Sequence, residues 1–386
     1  MPWNESTRMD ERLIFVEAYL SGGFTLAELC RSAGVSRPTG YLWVERYRRQ
    51  GEAGLCDRSH AVRSCPHRTP ASVVERLLEL RQEHPFWGPR KLLAVARRRW
   101  PAVAWPSRST AAEILRREGL SAVRRPRGRL SERAGATART PAHPNELWTF
   151  DFKGQFLTGD HRYCYPLTTT DLASRQLLQC VALPDTRGAA VERHSDALMR
   201  SIGLPAAIHT DGGAPFASIG IGRLSRLSLH WLKLGIRLER SRPASPQDNA
   251  SHERMHRTLK QETTRPPAAD LAAQQRRFDR FRREFNHERP HEALADRTPE
   301  EFYRPSPRSY PRRLEEVSYP EHFERRRINQ VGQFRWKSRR PFLGSVLTGE
   351  TIGLEEIDDG VWALYFSHHL LAHWDEQVGQ LIEVPV

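Results

Sequence analysis

The stretch ELWTFDFKGQF (Glu146–Phe156) decides the fold of the middle of this 386-residue chain. Aromatic and polar residues alternate from Trp148 to Lys153, so the aromatic side chains share one side of an extended segment. A period of two predicts a β-strand. A carboxylate between aromatic neighbours is costly to bury unless it is paired or binds a metal ion. Asp151 is therefore a candidate functional residue.

The pattern on the C-terminal side of this strand alternates between strands and helices. Further strands are predicted at Arg162–Thr170, Gln176–Leu183, Ala206–Thr210 and Ile236–Glu239. Helices are predicted at Arg187–Ile202, at about 221–234, at Asn249–Glu262 and at Asp270–Phe285. As far as Glu262, the order β-β-β-α-β-α-β-α predicts an α/β domain with a mixed sheet.

Two further acids occupy prominent places in this order. Asp211 follows the fourth strand, where open α/β sheets place ligand sites, and Glu253 lies in the first turn of the helix after the fifth strand. Oxygen ligands suit Mg²⁺ or Mn²⁺, and two such ions can clamp both oxygens of a phosphoryl transfer. Arg257 and Lys260 share a helix face with Glu253 and are predicted to hold a DNA backbone.

Other residues compete for these roles, and the three acids could also be ordinary surface residues. Asp160 and Asp171 lie near turns, and Asp248 can cap a helix. Glu239 is the strongest rival for the third ligand. His209 and His252 neighbour the acids, but a hard-metal site does not require histidine, so we expect them to pack or hydrogen bond.

Positive charge is concentrated near the N-terminus. The chain has 60 Lys plus Arg against 46 Asp plus Glu, a net charge of +14. Residues 1–145 hold 26 basic and 14 acidic side chains, residues 146–306 hold 24 and 20, and residues 307–386 hold 10 and 12. A GC-rich genome explains most of the preference for arginine. The uneven distribution predicts a nucleic-acid footprint in the N-terminal third.

The segment Thr25–Arg49 has the pattern of a helix-turn-helix, because a Gly-containing turn separates a short helix from a basic one. A plain helical hairpin is the alternative. Arg37, Thr39 and Arg46 are the residues expected near DNA. Residues 71–120 are predicted to form a second helical DNA-binding unit.

The remaining segments are two predicted linkers and a C-terminal domain. Residues 53–70 form the first linker, where Cys56, His60, Cys65 and His67 do not have the usual spacing of zinc ligands. Residues 121–145 form a basic linker predicted to contact phosphates through Arg124, Arg125 and Arg127. Short apolar segments within 307–386 predict a small β-barrel, whose net charge of −2 favours a role in assembly.

Four motifs resemble the insertion-sequence transposases that have a retroviral-integrase-like catalytic core. They are TFDFKG around Asp151, HTDGGAPF around Asp211, the segment SRPASPQDNASHERMHRTLKQE (241–262) and the segment FNHERPHEAL (285–294). The resemblance implies an RNase H-like fold and a catalytic and metal-binding DDE triad of Asp151, Asp211 and Glu253 with two divalent ions. It also implies binding of terminal inverted repeats, cleavage at the 3′ ends, strand transfer into target DNA, and a homo-oligomer.

The sequence thus predicts six segments, with boundaries at 1–52, 53–70, 71–120, 121–145, 146–306 and 307–386. The alternative function is a DNA-binding regulator with a catalytically silent core. The first ten residues are polar, and no apolar run approaches the roughly 20 residues of a spanning helix. We therefore expect no membrane association and a location in the bacterial cytoplasm, at the nucleoid.

Overall fold

The computed structural model describes residues 7–57, 68–121, 141–240 and 250–384. The chain divides into two compact units, Met1–Arg68 and Thr69–Val386. None of the helices in these described ranges combines the length and the apolar character that crossing a bilayer requires.

The described residues of the first unit form three α-helices, α1 (Arg8–Leu20), α2 (Leu26–Ser32) and α3 (Arg37–Gln50), and a short 3-10 helix at Gly51–Leu55. Each α-helix begins at a hydroxyl side chain that accepts a hydrogen bond from the backbone of the first turn, namely Thr7, Thr25 and Ser36. Such caps satisfy backbone N–H groups that have no partner within the helix. Phe15, Val16 and Val44 are buried where the three helices meet. The predicted helix, turn and basic helix are confirmed.

The second unit opens with three more helices, α4 (Ala71–Glu83), α5 (Pro89–Arg99) and α6 (Arg108–Arg117). Leu77, Leu92 and Ile114 lie in their common core. Ser107 and Ser109 both precede the apolar repeat and could cap α6; the Ser107 hydroxyl is the one that accepts a hydrogen bond from Thr110 N.

The α/β core follows with strands β1 (Trp148–Phe152), β2 (Phe156–Leu157), β3 (Tyr163–Asp171), β4 (Leu177–Leu183), β5 (Ala207–Thr210) and β6 (Arg237–Arg240). Its helices are α7 (Gly188–Ile202), α8 (Arg226–Lys233), α9 (Ala250–Thr263) and α10 (Leu271–Arg283). Strands β4, β3 and β1 pair antiparallel, whereas β1, β5 and β6 pair parallel. The mixed sheet is the one that the element order predicts.

Helices cover both faces of this sheet. On one face, Trp148 and Phe150 pack with Val191 of α7 and Trp231 of α8. On the other, Met255 and Leu259 of α9 and a row of phenylalanines from α10 form a second apolar cluster. Successive side chains of β1 therefore lie in two different environments, one beside α7 and α8 and the other beside α9 and α10.

The C-terminal region is an open antiparallel sheet of five strands, so the predicted closed barrel does not appear among the described residues. The strands are β7 (Glu324–Arg327), β8 (Thr351–Asp358), β9 (Val361–Phe366), β10 (His369–Asp375) and β11 (Gln380–Ile382), in the order β11-β10-β9-β8-β7. Strands β7 and β11 are not paired with each other, which leaves two edges. The sheet shares an apolar cluster with Leu229 and Leu232 of α8, so it is packed directly on the core.

Candidate active site

The α9 side of the central sheet carries a row of hydroxyl groups. Thr149 of β1 pairs in register with Thr170 of β3, and Asp151 pairs with Thr168. These threonines are buried. Residues of the same register row project from the same face of a sheet, so the threonines and Asp151 all face α9.

Two imidazoles of α9 meet these hydroxyls. His252 Nδ1 lies 2.6 Å from Thr149 Oγ1 and 3.1 Å from Thr170 Oγ1, and its Nε2 lies 2.7 Å from Thr168 Oγ1. His256, one turn later, also places Nε2 2.7 Å from Thr168 Oγ1. Hydrogen bonds of this length satisfy buried polar groups, and they fix α9 at a defined height above β1. The expectation that His252 hydrogen bonds is confirmed.

Asp151 lies at the edge of this network. Its backbone oxygen accepts a hydrogen bond from Thr168 Oγ1 at 3.0 Å, and its side chain remains 19% exposed. The Oδ2 atom of Asp151 is 3.8 Å from Nδ1 of His256. The carboxylate is thus held between a buried scaffold and a solvent-facing opening, where an ion or a substrate can reach it.

Asp211 follows directly after β5, the parallel neighbour of β1. The register pairs Thr149 with His209, and Asp211 follows His209 by two residues. Asp211 is exposed, and its Oδ1 accepts a hydrogen bond from Gly213 N at 3.3 Å. A Cβ on Gly212 would lie 3.0 Å from the Arg223 guanidinium, so glycine permits that basic group to approach the loop.

Glu253 is exposed in the first turn of α9, between the two histidines that contact the sheet. Arg257 and Lys260 are exposed on the same helix, whereas Met255 and Leu259 are buried. The charged face of α9 is the one that the sequence predicts, and Met255 and Leu259 form its apolar face.

One cluster in the described part of the chain groups three potential ligands within 4.8 Å of one another. It consists of Asp151, His252 and His256. Asp211 and Glu253 do not belong to this cluster, although both lie on elements adjacent to Asp151. Burial, with a smaller contribution from neighbouring positive charge, lowers the pKa of His252 to about 3 and that of His256 to about 2. Both rings are therefore neutral at pH 7.

Sequence reasoning did not identify His256. The signal was its spacing, because His256 follows His252 by four residues and therefore lies on the same helix face as that buried histidine. Periodicity reveals such a face, but it does not reveal which strand residue the face meets.

The competing acids have distinct surroundings. Asp171 is fully buried, and its carboxylate accepts hydrogen bonds from Asn145 N and from the backbone and hydroxyl of Ser174. Asp160 accepts a hydrogen bond from the Thr158 hydroxyl. Both carboxylates therefore stabilise turns of the backbone through hydrogen bonds. Glu239 pairs in register with His209, so it lies in the same row as Thr149 and remains a rival ligand.

The segment FNHERPHEAL joins the sheet to α9. The side chain of Asn286 bonds both the N–H and the C=O of Leu177, and the buried Arg289 lies 2.7 Å from Glu262 of α9. Burial is the main cause that lowers the pKa of His291 to about 4. These contacts confirm that the segment docks against the core.

The end of α4 and helix α5 contact this same segment and the residues on either side of it. His84 contacts Glu284 at 2.9 Å, Arg90 contacts Asp296 at 3.0 Å, and Arg98 donates to the backbone oxygen of Glu288. Lys91 is half-buried beside Arg289 and Glu262, and its burial lowers its pKa to about 8. The predicted second DNA-binding unit is thus packed on the core through polar contacts.

The predicted DNA contacts of the first unit differ in exposure. Arg37 is exposed at the start of α3, which suits a contact with DNA. The Thr39 hydroxyl lies 2.8 Å from the Ser36 hydroxyl in the helix cap, and the Arg46 guanidinium lies 5.0 Å from the ring centre of Trp43. Thr39 and Arg46 therefore also stabilise the unit itself. Arg124, Arg125 and Arg127, and most of the 53–70 linker, lie outside the described residues.

Family models match both halves of this architecture. Two models described as integrase core domain match residues 141–246 and 234–299. Models described as helix-turn-helix domain and homeodomain-like domain match residues 11–61 and 39–115. The chain therefore matches helix-turn-helix domains in its N-terminal part and an integrase core domain in its middle, the combination that its motifs indicate.

The chain is also similar to proteins of bacterial insertion elements. It is 29% identical to the insertion element IS407 uncharacterized 31.7 kDa protein of Burkholderia multivorans, over 60% of this chain and 80% of that protein. It is 26% identical to the insertion element IS476 uncharacterized 39.2 kDa protein of Xanthomonas euvesicatoria, over 72% of this chain and 78% of that protein. These relatives confirm the resemblance to insertion-sequence transposases with an integrase-like core.

Solved structures with a similar chain include the catalytic core domain of HTLV-2 integrase in complex with magnesium. It is 13% identical over 42% of this chain and 97% of that chain, with a TM-score of 0.33. A chain of a simian T-cell lymphotropic virus intasome in complex with the PP2A regulatory subunit B56 gamma is 15% identical. The match covers 76% of this chain and 97% of that chain, with a TM-score of 0.36.

Proposed function

We propose that this protein is a DDE transposase that cuts the ends of a mobile element and joins them to target DNA. What supports the proposal is that Asp151 lies on β1, Asp211 directly follows its parallel neighbour β5, and Glu253 lies in the first turn of α9, whose histidines contact β1. We assign the helix-turn-helix unit and the second helical unit to the terminal inverted repeats. The six segment boundaries predicted from the sequence are proposed as the functional division of the chain.

The donor set of the triad fits divalent ions. All three side chains offer carboxylate oxygens, and each retains access to solvent, which leaves room for water and phosphate. Oxygen donors of this kind suit two Mg²⁺ or Mn²⁺ ions, which when bound would polarise the scissile phosphodiester and the attacking oxygen.

The residues of the chain supply position and charge. The threonine and histidine network holds β1 and α9 together, so Asp151 and Glu253 keep a defined separation. Arg257 and Lys260, exposed beside Glu253, would hold the phosphates on either side of the cut. Charge-assisted contacts to phosphate fix register without reading the base sequence.

The proposed reaction has two displacements at phosphorus. In the first, a water oxygen bonds to the phosphorus at the element end and the 3′ oxygen leaves, which produces a 3′ hydroxyl. In the second, this hydroxyl bonds to a phosphorus of target DNA and displaces another 3′ oxygen. Pairing two ends requires an oligomer, a dimer or larger, and we place the protein in the bacterial cytoplasm at the nucleoid.

Cleavage and joining of a labelled DNA end test this function directly. The substrate is the terminal repeat that flanks the gene, incubated with purified protein and Mg²⁺. Asp151→Asn should lower cleavage by roughly a thousandfold, about 4 kcal/mol of transition-state stabilisation, while retaining DNA binding in a mobility-shift assay. Glu253→Gln should have a similar effect, whereas Glu239→Gln, the matched control, should cleave nearly as well as the unmodified protein.

Two outcomes would overturn the proposal in different ways. Full cleavage by Asp151→Asn would remove the triad from the mechanism. Specific binding of the terminal repeat by the unmodified protein, with no cleavage in either Mg²⁺ or Mn²⁺, would identify a DNA-binding regulator with a silent core.

A further inference from the structure

The hydroxyl of Thr168 is shared by three groups, and this determines where the imidazole protons lie. Thr168 Oγ1 is 3.0 Å from the backbone oxygen of Asp151 and 2.7 Å from Nε2 of both His252 and His256. A carbonyl oxygen can only accept, and a hydroxyl has one proton to donate. That proton is therefore given to the Asp151 oxygen, and both Nε2 atoms must be N–H donors to Thr168.

The opposite nitrogen of each neutral ring then carries a lone pair. For His252 this nitrogen, Nδ1, accepts from the hydroxyl of Thr149 at 2.6 Å. For His256, Nδ1 faces the Oδ2 atom of Asp151 at 3.8 Å. Two acceptor atoms thus face each other across a gap that is too long for a hydrogen bond.

The gap is somewhat longer than the separation of two ligands on one metal ion. Metal–nitrogen and metal–oxygen bonds of about 2.1 Å, at the octahedral angle that Mg²⁺ and Mn²⁺ prefer, place adjacent ligand atoms about 3.0 Å apart. A closure of about 0.8 Å from the observed 3.8 Å would bring His256 and Asp151 to that separation. Metal-bound histidines commonly donate their other ring N–H to a fixed acceptor, and Thr168 is such an acceptor for His256.

We infer that His256 is a metal ligand that binds, through Nδ1, the same divalent ion as Asp151. This inference rests on the proposed function, because it adds a nitrogen ligand to the carboxylate assigned to catalysis. A nitrogen ligand raises the affinity for transition metals relative to Mg²⁺. The site is therefore selective for Mn²⁺ over Mg²⁺, which a site of carboxylates alone does not require.

Electron paramagnetic resonance of the full-length protein with Mn²⁺ tests this assignment without measuring catalysis. Loss of the free-ion signal gives the dissociation constant, and pulsed spectra detect coupling to a ligated ¹⁴N nucleus. The unmodified protein should show this coupling, and Mg²⁺ should displace Mn²⁺ only at a large excess. His256→Gln should lose the coupling and weaken Mn²⁺ binding roughly tenfold or more, with Mg²⁺ affinity nearly unchanged.

His252→Gln is the matched control, since His252 lies one turn earlier, is buried, and contacts the same Thr168. It should retain the ¹⁴N coupling, because its Nδ1 faces a hydroxyl rather than Asp151. Thermal melting checks that each variant is folded. His291→Gln, at a half-buried histidine that contacts the backbone of Phe285, replaces His252→Gln if that variant is unfolded.

The results separate this inference from the proposed function. Coupling that persists in His256→Gln, or that is absent from an unmodified protein which cleaves DNA, would overturn the role of His256 and leave the transposase assignment intact. Coupling in a protein that cleaves no DNA would support the metal site and contradict the proposed function.

Discussion

The two faces of the central sheet differ in how they are held together. On the α7 and α8 side, Trp148, Phe150 and Trp231 form a buried apolar cluster. On the α9 side, the same strand places Thr149 beside His252 and Asp151 beside His256. Adjacent residues of β1 thus serve opposite purposes, because successive side chains in a strand point to opposite faces.

The difference teaches where the chain can change without losing its fold. The apolar face stabilises through buried area, which is non-directional. The polar face stabilises through hydrogen bonds whose donors and acceptors must match, since an unmatched buried polar group is costly. A network of this kind specifies position more sharply than apolar packing does, and it lies directly beside the proposed catalytic carboxylate.

The apolar face should carry the larger share of stability. Trp148→Ala removes a fully buried indole and should lower the free energy of unfolding by roughly 3–5 kcal/mol, as large core truncations do. Denaturant titration followed by circular dichroism measures this loss. Tyr163→Ala, at a side chain on β3 that is about half exposed, is the control and should cost less than about 1 kcal/mol. Equal losses at both positions would contradict the contrast.

The polar face should depend on a single hydroxyl. Thr168→Val keeps the shape of the side chain but removes its hydroxyl. Two imidazole N–H groups and a backbone oxygen then lose their hydrogen-bond partner. The variant should therefore be less stable by roughly 2 kcal/mol or more. Thr169→Val is a close control, because the neighbouring Thr169 hydroxyl serves one partner, Gln179, and about 1 kcal/mol is expected. If the two valine variants unfold at the same denaturant concentration, the shared role of Thr168 is wrong.

The smallest effect should come from the charge buried behind α9. Burial lowers the pKa of Lys91 to about 8 from 10.5, so the folded state disfavours the charged form. The penalty is complete below pH 8 and disappears as pH rises through about 10.5. Lys91→Met should therefore be more stable than the unmodified protein at pH 7, by roughly 1 kcal/mol after allowance for partial exposure, and this gain should vanish near pH 10.5.

Melting temperatures of the two proteins across this pH range measure the Lys91 effect. The expected gain at pH 7 is about 2–4 °C. Lys337→Met, at an exposed lysine that contacts Glu376, should show no such gain, and a gain that grows with pH would reverse the predicted sign.

The sequence predicted the core elements well because each carried its own local signal. Alternation marked β1, and residues with a hydroxyl side chain, which favour helix starts, precede α2, α3 and α6. Strand β7 was missed, because the segment Glu324–Arg327 is mostly arginine and lies at a sheet edge. Charged residues are tolerated on an edge, but they carry no apolar period that a sequence pattern could detect.

The barrel prediction failed for a related reason. Short strands separated by turns at Gly332, Gly349 and Gly360 indicate a small β domain, and the five-stranded sheet confirms that much. Whether such strands close into a barrel depends on contact between the first and last strands, and on what else covers them. Here Leu229 and Leu232 of α8 pack against the sheet. Local sequence patterns do not predict a contact between such distant segments.

By itself, the sequence determined the order of elements, the alternation of β1 and the residue types of the three acids, since these follow from local periodicity and side-chain chemistry. Only the tertiary structure decided that His256 faces Asp151 and that the end of α4 and helix α5 contact the segment after α10. Both depend on residues about 100 to 200 positions apart in the chain. Such pairings are set by the packing of whole helices and strands. The residues that neighbour each partner in the sequence therefore do not predict the contact.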